Sequence, residues 1–213
     1  MAGSEGSTGA DALGVRERRK LETRERLLKA AKEQFEKDGY DEVTVAQIAA
    51  AAGVTAKTLF QHFPSKEDLL MAELDDVHAE MIRALKGRER GVTPLQAVAA
   101  WLLDWEARRP PDGYDRFIRM VGTGPGVEAM RRRLYEEWEG AVVEVLADEA
   151  NEARPNPRTR LVAAQLISMI RVLTSAEVTA SLERYPPEER REAFMDWTRE
   201  ATEMLAKGLD APG

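Results

Sequence analysis

The chain has 213 residues, 43% of them hydrophobic, so it is long enough to bury a sizeable core. It contains no cysteine and two histidines, which excludes disulfides and thiolate sites and leaves too few ligands for most zinc sites; we expect no cofactor. The net charge is -7, but residues 14–66 carry 11 Lys and Arg against 8 Asp and Glu, whereas residues 67–213 carry 20 against 28. A mildly basic N-terminal region on an acidic body favours phosphate contact by that region alone.

Residues 1–14 are small and polar and are predicted to form a disordered tail. They lack the basic and apolar regions of a signal peptide. The longest apolar run, residues 97–103, is too short for a membrane helix, which needs about 20 residues. We therefore expect a soluble cytoplasmic protein without a membrane partner.

The next segment predicts three helices. Residues 16–38 have helical apolar spacing. Thr44 and Gln47 form a T-x-x-Q capping box that begins a second helix, and Gly53 ends it. Thr55 caps a third helix that runs to about Phe63. Two short helices joined by a tight turn are typical of a helix-turn-helix, whose second helix enters the DNA major groove.

The rest of the chain is predicted to be helical as well. Ser65 begins a fourth helix that reaches about residue 86, and prolines and glycines then delimit helices at about 93–109, 112–121, 127–153, 157–183 and 188–208. No alternating strand pattern occurs. The sequence therefore predicts an all-α protein of about nine helices, with a three-helix DNA-binding domain at residues 15–64 and a larger C-terminal helical effector-binding and dimerisation domain at residues 65–213.

Several short motifs in residues 23–70 are specific in combination: Gly-Tyr at 39–40, Thr-Val at 44–45, A-G-V-T at 52–55 and F-P-S-K-E at 63–67. With these motifs the segment resembles the DNA-binding region of the TetR family of transcriptional regulators. The resemblance implies a homodimer that binds a near-palindromic double-stranded DNA operator and leaves it when a small-molecule effector binds the body. The segment R-E-R-R-K-L-E-T-R-E-R-L-L-K-A-A and the F-x-x-F-P-S-K-E-D-L variant also resemble a branch typified by the mycofactocin regulator, which implies an acyl-CoA-like or other hydrophobic effector.

Helical spacing assigns the faces of the third helix. Leu59 and Phe63 are expected to face inward, which leaves Ala56, Lys57, Phe60 and Gln61 for the groove. In that groove a lysine can donate to guanine, a glutamine can pair with adenine and an alanine can contact a thymine methyl group. Thr55 and Thr58 are placed for phosphates at the helix N-terminus. The alternative is that Lys57 and Gln61 are ordinary solvated residues.

The family resemblance adds further candidates for DNA contact. It implies phosphate contacts by Thr44 and Lys66, to which Arg24 can add another. Phe60 stands where the family commonly has a tyrosine that bonds a phosphate, and His62 stands at a position that is usually aromatic. The predicted DNA-binding residues are Arg24, Thr44, Thr55, Ala56, Lys57, Thr58, Phe60, Gln61, His62 and Lys66. The basic cluster at residues 16–20 either reaches a flanking phosphate or the minor groove or is a solvated helix start.

The body supplies candidates for the effector site and for the dimer interface. The predicted cavity wall consists of Trp101, Trp105, Phe117, Met120, Met130, Trp138 and Met169. The alternative is that these residues are ordinary core. Arg119 and Arg171 could pair with an anionic effector group or with neighbouring acids. The predicted four-helix dimer interface consists of Leu161, Leu166, Ile170, Leu173, Val178, Phe194, Trp197, Met204 and Leu205.

Two other functional classes were weighed. An enzyme is not favoured, because the G-T-G-P-G segment at 122–126 follows no strand and lacks dinucleotide-binding spacing, and no nucleophilic triad can be assembled. A DNA-binding activator or architectural protein without an effector stays open, and a ligandable cavity would argue against it. The favoured interpretation is an effector-responsive homodimeric repressor.

Overall fold

The structure is a computed structural model that describes residues 7–110, 112–122 and 125–208. Ten α-helices and no strand occur in these ranges, which confirms the predicted all-α class. The helices are α1 (Ser7–Asp38), α2 (Val45–Ala51), α3 (Ala56–His62), α4 (Lys66–Lys86), α5 (Pro94–Ala107), α6 (Gly113–Val121), α7 (Pro125–Glu149), α8 (Pro157–Leu173), α9 (Ala176–Leu182) and α10 (Pro187–Lys207).

The first helix is longer than predicted. It begins at Ser7, so residues 7–14 are helical and do not belong to a disordered tail. This stretch contains alanine and leucine, which are strong helix formers, and it extends a helix that the following residues already nucleate. The structure does not describe residues 1–6, Pro111, residues 123–124 and residues 209–213.

The helix predicted at 157–183 is two helices, α8 and α9, which meet at an angle of 44°. At the break the Thr174 hydroxyl donates to the Ile170 carbonyl at 2.9 Å, and the Ser175 hydroxyl accepts the N–H of Val178 at 3.3 Å. Such hydroxyl bonds compete with helical backbone bonds and allow one helix to end and another to begin. This break accounts for the tenth helix.

No single helix in the described ranges is long and apolar enough to cross a membrane. The bent pair α8 and α9 reaches the required length and composition when the two are counted together.

The helix-turn-helix has the predicted caps. The Thr44 hydroxyl accepts the N–H of Gln47 at 3.3 Å, and the Gln47 side chain accepts the N–H of Thr44 at 2.7 Å. Gly53 has a φ of +68°, a left-handed conformation that costs glycine little and other residues more. The N–H of Val54 then donates to the Ala49 carbonyl at 2.9 Å and closes the corner. These local bonds fix how α3 leaves α2.

A single continuous core joins α1 to α10, and α4 runs through it. The buried residues of α4 are Leu69, Leu70, Leu74, Met81 and Leu85. Because the core crosses residues 64 and 65 without a gap, a movement of α4 acts on the helix-turn-helix and on the body together. The division into a DNA-binding domain at residues 15–64 and an effector-binding and dimerisation domain at residues 65–213 stays a prediction.

A buried ionic cluster joins α5, α6 and α10. The Glu106 carboxylate has no exposed surface and lies 3.4 Å from an Arg109 nitrogen and 3.9 Å from an Arg191 nitrogen. Burial raises the pKa of Glu106, against the opposing effect of the two arginines. Arg109 also donates to the Gly113 carbonyl, and Arg191 donates to the carbonyls of Arg109 and Pro110. The cluster therefore fixes the α5–α6 connection against α10.

We expect Glu106→Gln to lower the free energy of unfolding by about 3 kcal/mol, because two poorly exposed guanidinium groups lose their counter-charge. Urea denaturation of the pure protein measures this difference. The matched control is Glu80→Gln, which removes the partly exposed partner of Arg108 at 3.0 Å. The control should cost less than about 1 kcal/mol. Equal losses in both variants would contradict a structural role for the buried cluster.

Candidate nucleic-acid interface and effector cavity

The third helix presents the face that its spacing predicts. Leu59 and Phe63 are buried, and Ala56, Lys57 and Gln61 are exposed. Phe60 is 50% exposed, although large apolar side chains are usually covered. Within the described residues no ion pair includes Lys57, so its ammonium is not neutralised by a neighbouring acid. The face therefore offers a cation, an amide and an apolar ring to a partner.

The N-terminus of α3 carries two threonines that are bonded to each other. The Thr55 hydroxyl accepts the N–H of Thr58 at 3.1 Å, and the two hydroxyl oxygens lie 3.0 Å apart. Thr44 holds the corresponding position at α2 and is also exposed. The Thr44 and Thr55 hydroxyls thus already cap a helix each. The Thr44 proton is donated to the Gln47 side-chain oxygen at 2.7 Å, whereas one of the two protons on Thr55 and Thr58 is left for a phosphate or water.

A groove between α1 and α3 lies beside this face. It is lined by Glu17, Lys20, Leu21, Arg24, Gln61 and His62. The Arg24 guanidinium lies 4.4 Å from the centre of the buried Phe63 ring. The pKa of His62 is lowered, chiefly by burial and then by the positive charges of Lys20 and Arg24. The groove thus carries two cations, Lys20 and Arg24, against one acid, Glu17, and the lowered pKa disfavours a further positive charge on His62.

Lys66 differs from the expected phosphate contact. Its ammonium donates to the carbonyls of Tyr40 at 2.8 Å and Val43 at 3.1 Å, and it lies 4.1 Å from the centre of the Tyr40 ring. A partly buried ammonium needs acceptors, and the loop between α1 and α2 supplies them. The structure thus gives Lys66 contacts inside the protein, and a phosphate contact stays a prediction.

An apolar cavity of about 50 Å³ lies among α4, α5, α6, α7, α8 and α9. Four predicted wall residues, Trp101, Trp105, Phe117 and Trp138, line it; their contact with a ligand stays a prediction. The Trp105 and Phe117 rings meet edge to face with centres 5.2 Å apart. Leu74 and Val77 bring α4 to the same wall. The cavity is therefore formed largely by aromatic rings and touches the helix that continues to the helix-turn-helix.

The other predicted wall residues lie elsewhere. Met120, Met130 and Met169 are buried in the core but do not line the cavity, so its wall is not rich in methionine. Arg119 is exposed and donates to the Glu36 carbonyl at 3.2 Å, and Arg171 is exposed and donates to the Ser168 hydroxyl at 3.2 Å. Helical spacing predicts that an apolar residue faces the core, but it does not predict whether that residue lines the cavity or packs against another helix.

The polar end of the cavity was not predicted. It consists of Arg131, Tyr135, Thr174 and Thr179. Arg131 donates to the Thr174 carbonyl, and the Tyr135 and Thr174 hydroxyl oxygens lie 2.7 Å apart. One signal was present in the sequence: Arg131 falls on the stripe of α7 that also carries Val127, Met130, Leu134 and Trp138, an unusual position for an arginine.

The cavity connects to the helix-turn-helix through α6. Phe117, Ile118 and Val121 of α6 form part of the wall. In the same helix the Arg119 carbonyl accepts the N–H of Tyr40 at 2.9 Å. Tyr40 is the residue whose carbonyl binds Lys66. One short chain of bonds therefore runs from the cavity wall to the loop that precedes α2.

The predicted dimer interface is partly wrong. Leu166, Ile170, Leu173 and Phe194 are buried within the subunit, since α8 and α10 turn these sides toward their own core. Leu161 and Met204 are exposed, and Val178, Trp197 and Leu205 are half-buried. Val172 and Tyr185 are further exposed apolar residues on or beside these helices. Part of the apolar surface of α8 to α10 is thus exposed to solvent, and it contains five of the nine residues predicted for the dimer interface.

Comparison with known proteins identifies the family. The family model described as "Bacterial regulatory proteins, tetR family" matches residues 27–72. The HTH-type transcriptional regulator TcmR of Streptomyces glaucescens is 30% identical over 205 residues, which cover 87% of this chain and 91% of TcmR.

Solved structures show the same fold. GusR of Salmonella enterica has a TM-score of 0.58 at 18% identity, covering 87% of this chain and 94% of GusR. FadR of Bacillus subtilis, solved in complex with stearoyl-CoA, has a TM-score of 0.55 at 16% identity, covering 86% of this chain and 97% of FadR. With its helix-turn-helix, its all-α body and its similarity to TcmR along most of its length, the chain belongs to the TetR family of transcriptional regulators.

Proposed function

We propose that the chain is a homodimeric transcriptional repressor that acts in the cytoplasm and leaves its operator when a small molecule enters the aromatic cavity. The observation that carries this proposal is the bonded link from the cavity wall in α6, through Tyr40 and Lys66, to the start of the helix-turn-helix. A DNA-reading surface, a cavity and a physical connection between them are the three parts that such a regulator requires.

The DNA contacts divide by chemistry. Lys57 and Gln61 are suited to base edges in the major groove, and Ala56 and Phe60 to apolar contacts with thymine methyl groups or sugars. Thr44, Thr55 and Thr58 are suited to phosphates, and the groove with Arg24 and His62 is suited to a flanking backbone. The acidic body is repelled by phosphates, so the charge distribution favours approach by the helix-turn-helix.

The open apolar surface on α8 to α10 supports a two-fold dimer. In such a dimer the two copies of α3 must enter major grooves about 34–36 Å apart. Any change in that separation weakens both contacts at once, which makes operator affinity sensitive to the shape of the body.

The small size of the cavity supports the release step. About 50 Å³ holds only a few water molecules, far less than the roughly 300–1,000 Å³ of typical ligand sites. A ligand must therefore push the walls apart, and α4 and α6 are two of these walls. Both lead to the helix-turn-helix, so their displacement would change its position. A coupling of about 1–3 kcal/mol would lower operator affinity about 5- to 150-fold.

The main test is selection of operator DNA from a random pool with the pure protein. We expect a near-palindromic site with half-sites about one helical turn apart. In gel-shift titrations Lys57→Ala should weaken binding to this site by about 1–3 kcal/mol, because a base contact is lost. The control is Lys86→Ala, at the far end of α4 and also exposed. Recovery of no specific site, or equal effects of the two variants, would contradict the proposed DNA contacts.

Salt dependence distinguishes the two roles available to Lys66. If Lys66 stabilises the loop before α2, Lys66→Met should leave the slope of log affinity against log salt unchanged and lower the free energy of unfolding. Lys57→Met, by contrast, should reduce the slope if that ammonium also displaces counterions, by about 0.9 for each subunit. Fluorescence anisotropy with the selected operator at several salt concentrations measures both slopes. A reduction with Lys66→Met as large as with Lys57→Met would instead support a phosphate contact.

The dimer surface has its own test. Met204 on α10 is 54% exposed, and we expect Met204→Glu to raise the dimer dissociation constant at least about tenfold, because a charge would be buried against the second copy. Leu21→Glu is a matched control, since Leu21 is 61% exposed but lies on α1. Sedimentation velocity over a concentration series measures both. A dimer unaffected by Met204→Glu would place the interface elsewhere.

A further inference from the structure

The cavity has two chemically different parts. One part is apolar: leucine, isoleucine and valine side chains line it together with aromatic rings from five residues, Trp101, Trp105, Phe117, Tyr135 and Trp138. The Trp101 and Trp105 ring centres lie 6.3 Å apart, and the Tyr135 and Trp138 rings meet edge to face at 6.0 Å. Faces and edges of such rings favour flat ligands with π systems over flexible alkyl chains.

The other part contains a cation that lacks a carboxylate partner. Arg131 is only 9% exposed, and within the described residues no carboxylate lies within ion-pair distance of it. The Arg131 guanidinium donates hydrogen bonds to Thr174 and to the Tyr135 hydroxyl. The exposed Glu177 carboxylate interacts with the charge of Arg131 at longer range, without forming an ion pair. A buried guanidinium without a closer counter-charge is a site where an anionic group would be stabilised.

Two further donors in residues of the cavity wall are unpaired. The indole N–H groups of Trp101 and Trp138 are buried, and neither has an acceptor among the described residues. Both tryptophans belong to the cavity wall. The two indoles need acceptors, and Arg131 has further N–H groups besides the one bonded to Thr174 and Tyr135, so the complementary ligand carries acceptor oxygens and not donor groups.

We propose that the effector is a planar aromatic anion, a carboxylate or an ionised phenol on a fused-ring frame, whose negative oxygen pairs with Arg131. The inference rests on the proposed role of the cavity as the effector site and specifies the chemistry of its ligand. An acyl-CoA fits this wall less well, because several phosphates require several cations and Arg131 is the one cationic residue in the described lining.

The test uses three small probes and isothermal titration calorimetry with the full-length protein at pH 7.5. The probes are 2-naphthoate, its neutral analogue 2-naphthamide, and the aliphatic anion decanoate. We expect 2-naphthoate to bind at least about tenfold more tightly than either of the others. Equal or tighter binding of 2-naphthamide or decanoate would overturn the proposal, and so would failure of 2-naphthoate to bind at millimolar concentration.

Variants assign the preference to Arg131. Arg131→Met should bind 2-naphthoate and 2-naphthamide with equal affinity, whereas Arg131→Lys should keep part of the preference for the anion. Arg171→Met is the control, because Arg171 is exposed on the neighbouring α8, and it should behave as the native protein. Binding of 2-naphthamide by Arg131→Met shows that the cavity is still folded; if this variant does not fold, Arg131→Lys decides alone. An unchanged preference in Arg131→Met, or none in Arg131→Lys, would overturn the proposal.

The same protein preparations are assayed for operator binding without any probe. Operator binding that is intact, and relieved by a ligand of another class, would leave the proposed repressor function standing while the aromatic-anion inference fails. Selection of no operator would overturn the repressor function even if 2-naphthoate binds at Arg131.

Discussion

The contact of the Lys66 ammonium with the loop between α1 and α2 is the interaction on which the proposed coupling of the cavity to the helix-turn-helix depends. It holds two carbonyls of this loop and covers the Tyr40 ring from the first residue of α4. Tyr40 is in turn held by the carbonyl of Arg119 in α6. The start of the helix-turn-helix is therefore positioned by two of the six helices around the cavity, α4 and α6, and neither can shift without straining these bonds.

The cavity and the buried ionic cluster have opposite mechanical roles. The Arg109 guanidinium lies 4.4 Å and 4.9 Å from the centres of the Trp105 and Phe117 rings and is paired with Glu106. This side of the wall is thereby fixed against α5 and α10. The opposite side, made of Leu74, Val77 and the end of α6, is held mainly by packing and by the bonds to the loop. In the proposed release step, an occupant would therefore displace α4 and the end of α6 more readily than the side held by Arg109.

Local chemistry explains what could be predicted. The capping box at Thr44 and the inward side of α3 depend on residues within four positions of each other, and each was predicted correctly. The break at Thr174 and Ser175 was missed because its apolar pattern continues through it, and hydroxyl bonds alone interrupt the helix. The role of Lys66 and the displacement of Met120, Met130 and Met169 from the cavity depend on distant neighbours. Arg131 was not predicted to line the cavity, although its position on the apolar stripe of α7 indicates that it is buried.

The short helix α9 belongs to two surfaces at once. Thr179 faces the cavity and lies 3.4 Å from the Tyr114 hydroxyl, while the preceding Val178 forms part of the open surface with Tyr185 and Trp197. In a symmetric dimer, rearrangement of α9 around an occupant would be felt at the two-fold axis by the other copy. Occupancy of one cavity would then change the affinity of the second. Where it raises that affinity, the response of transcription to effector concentration is steeper than that of a single independent site.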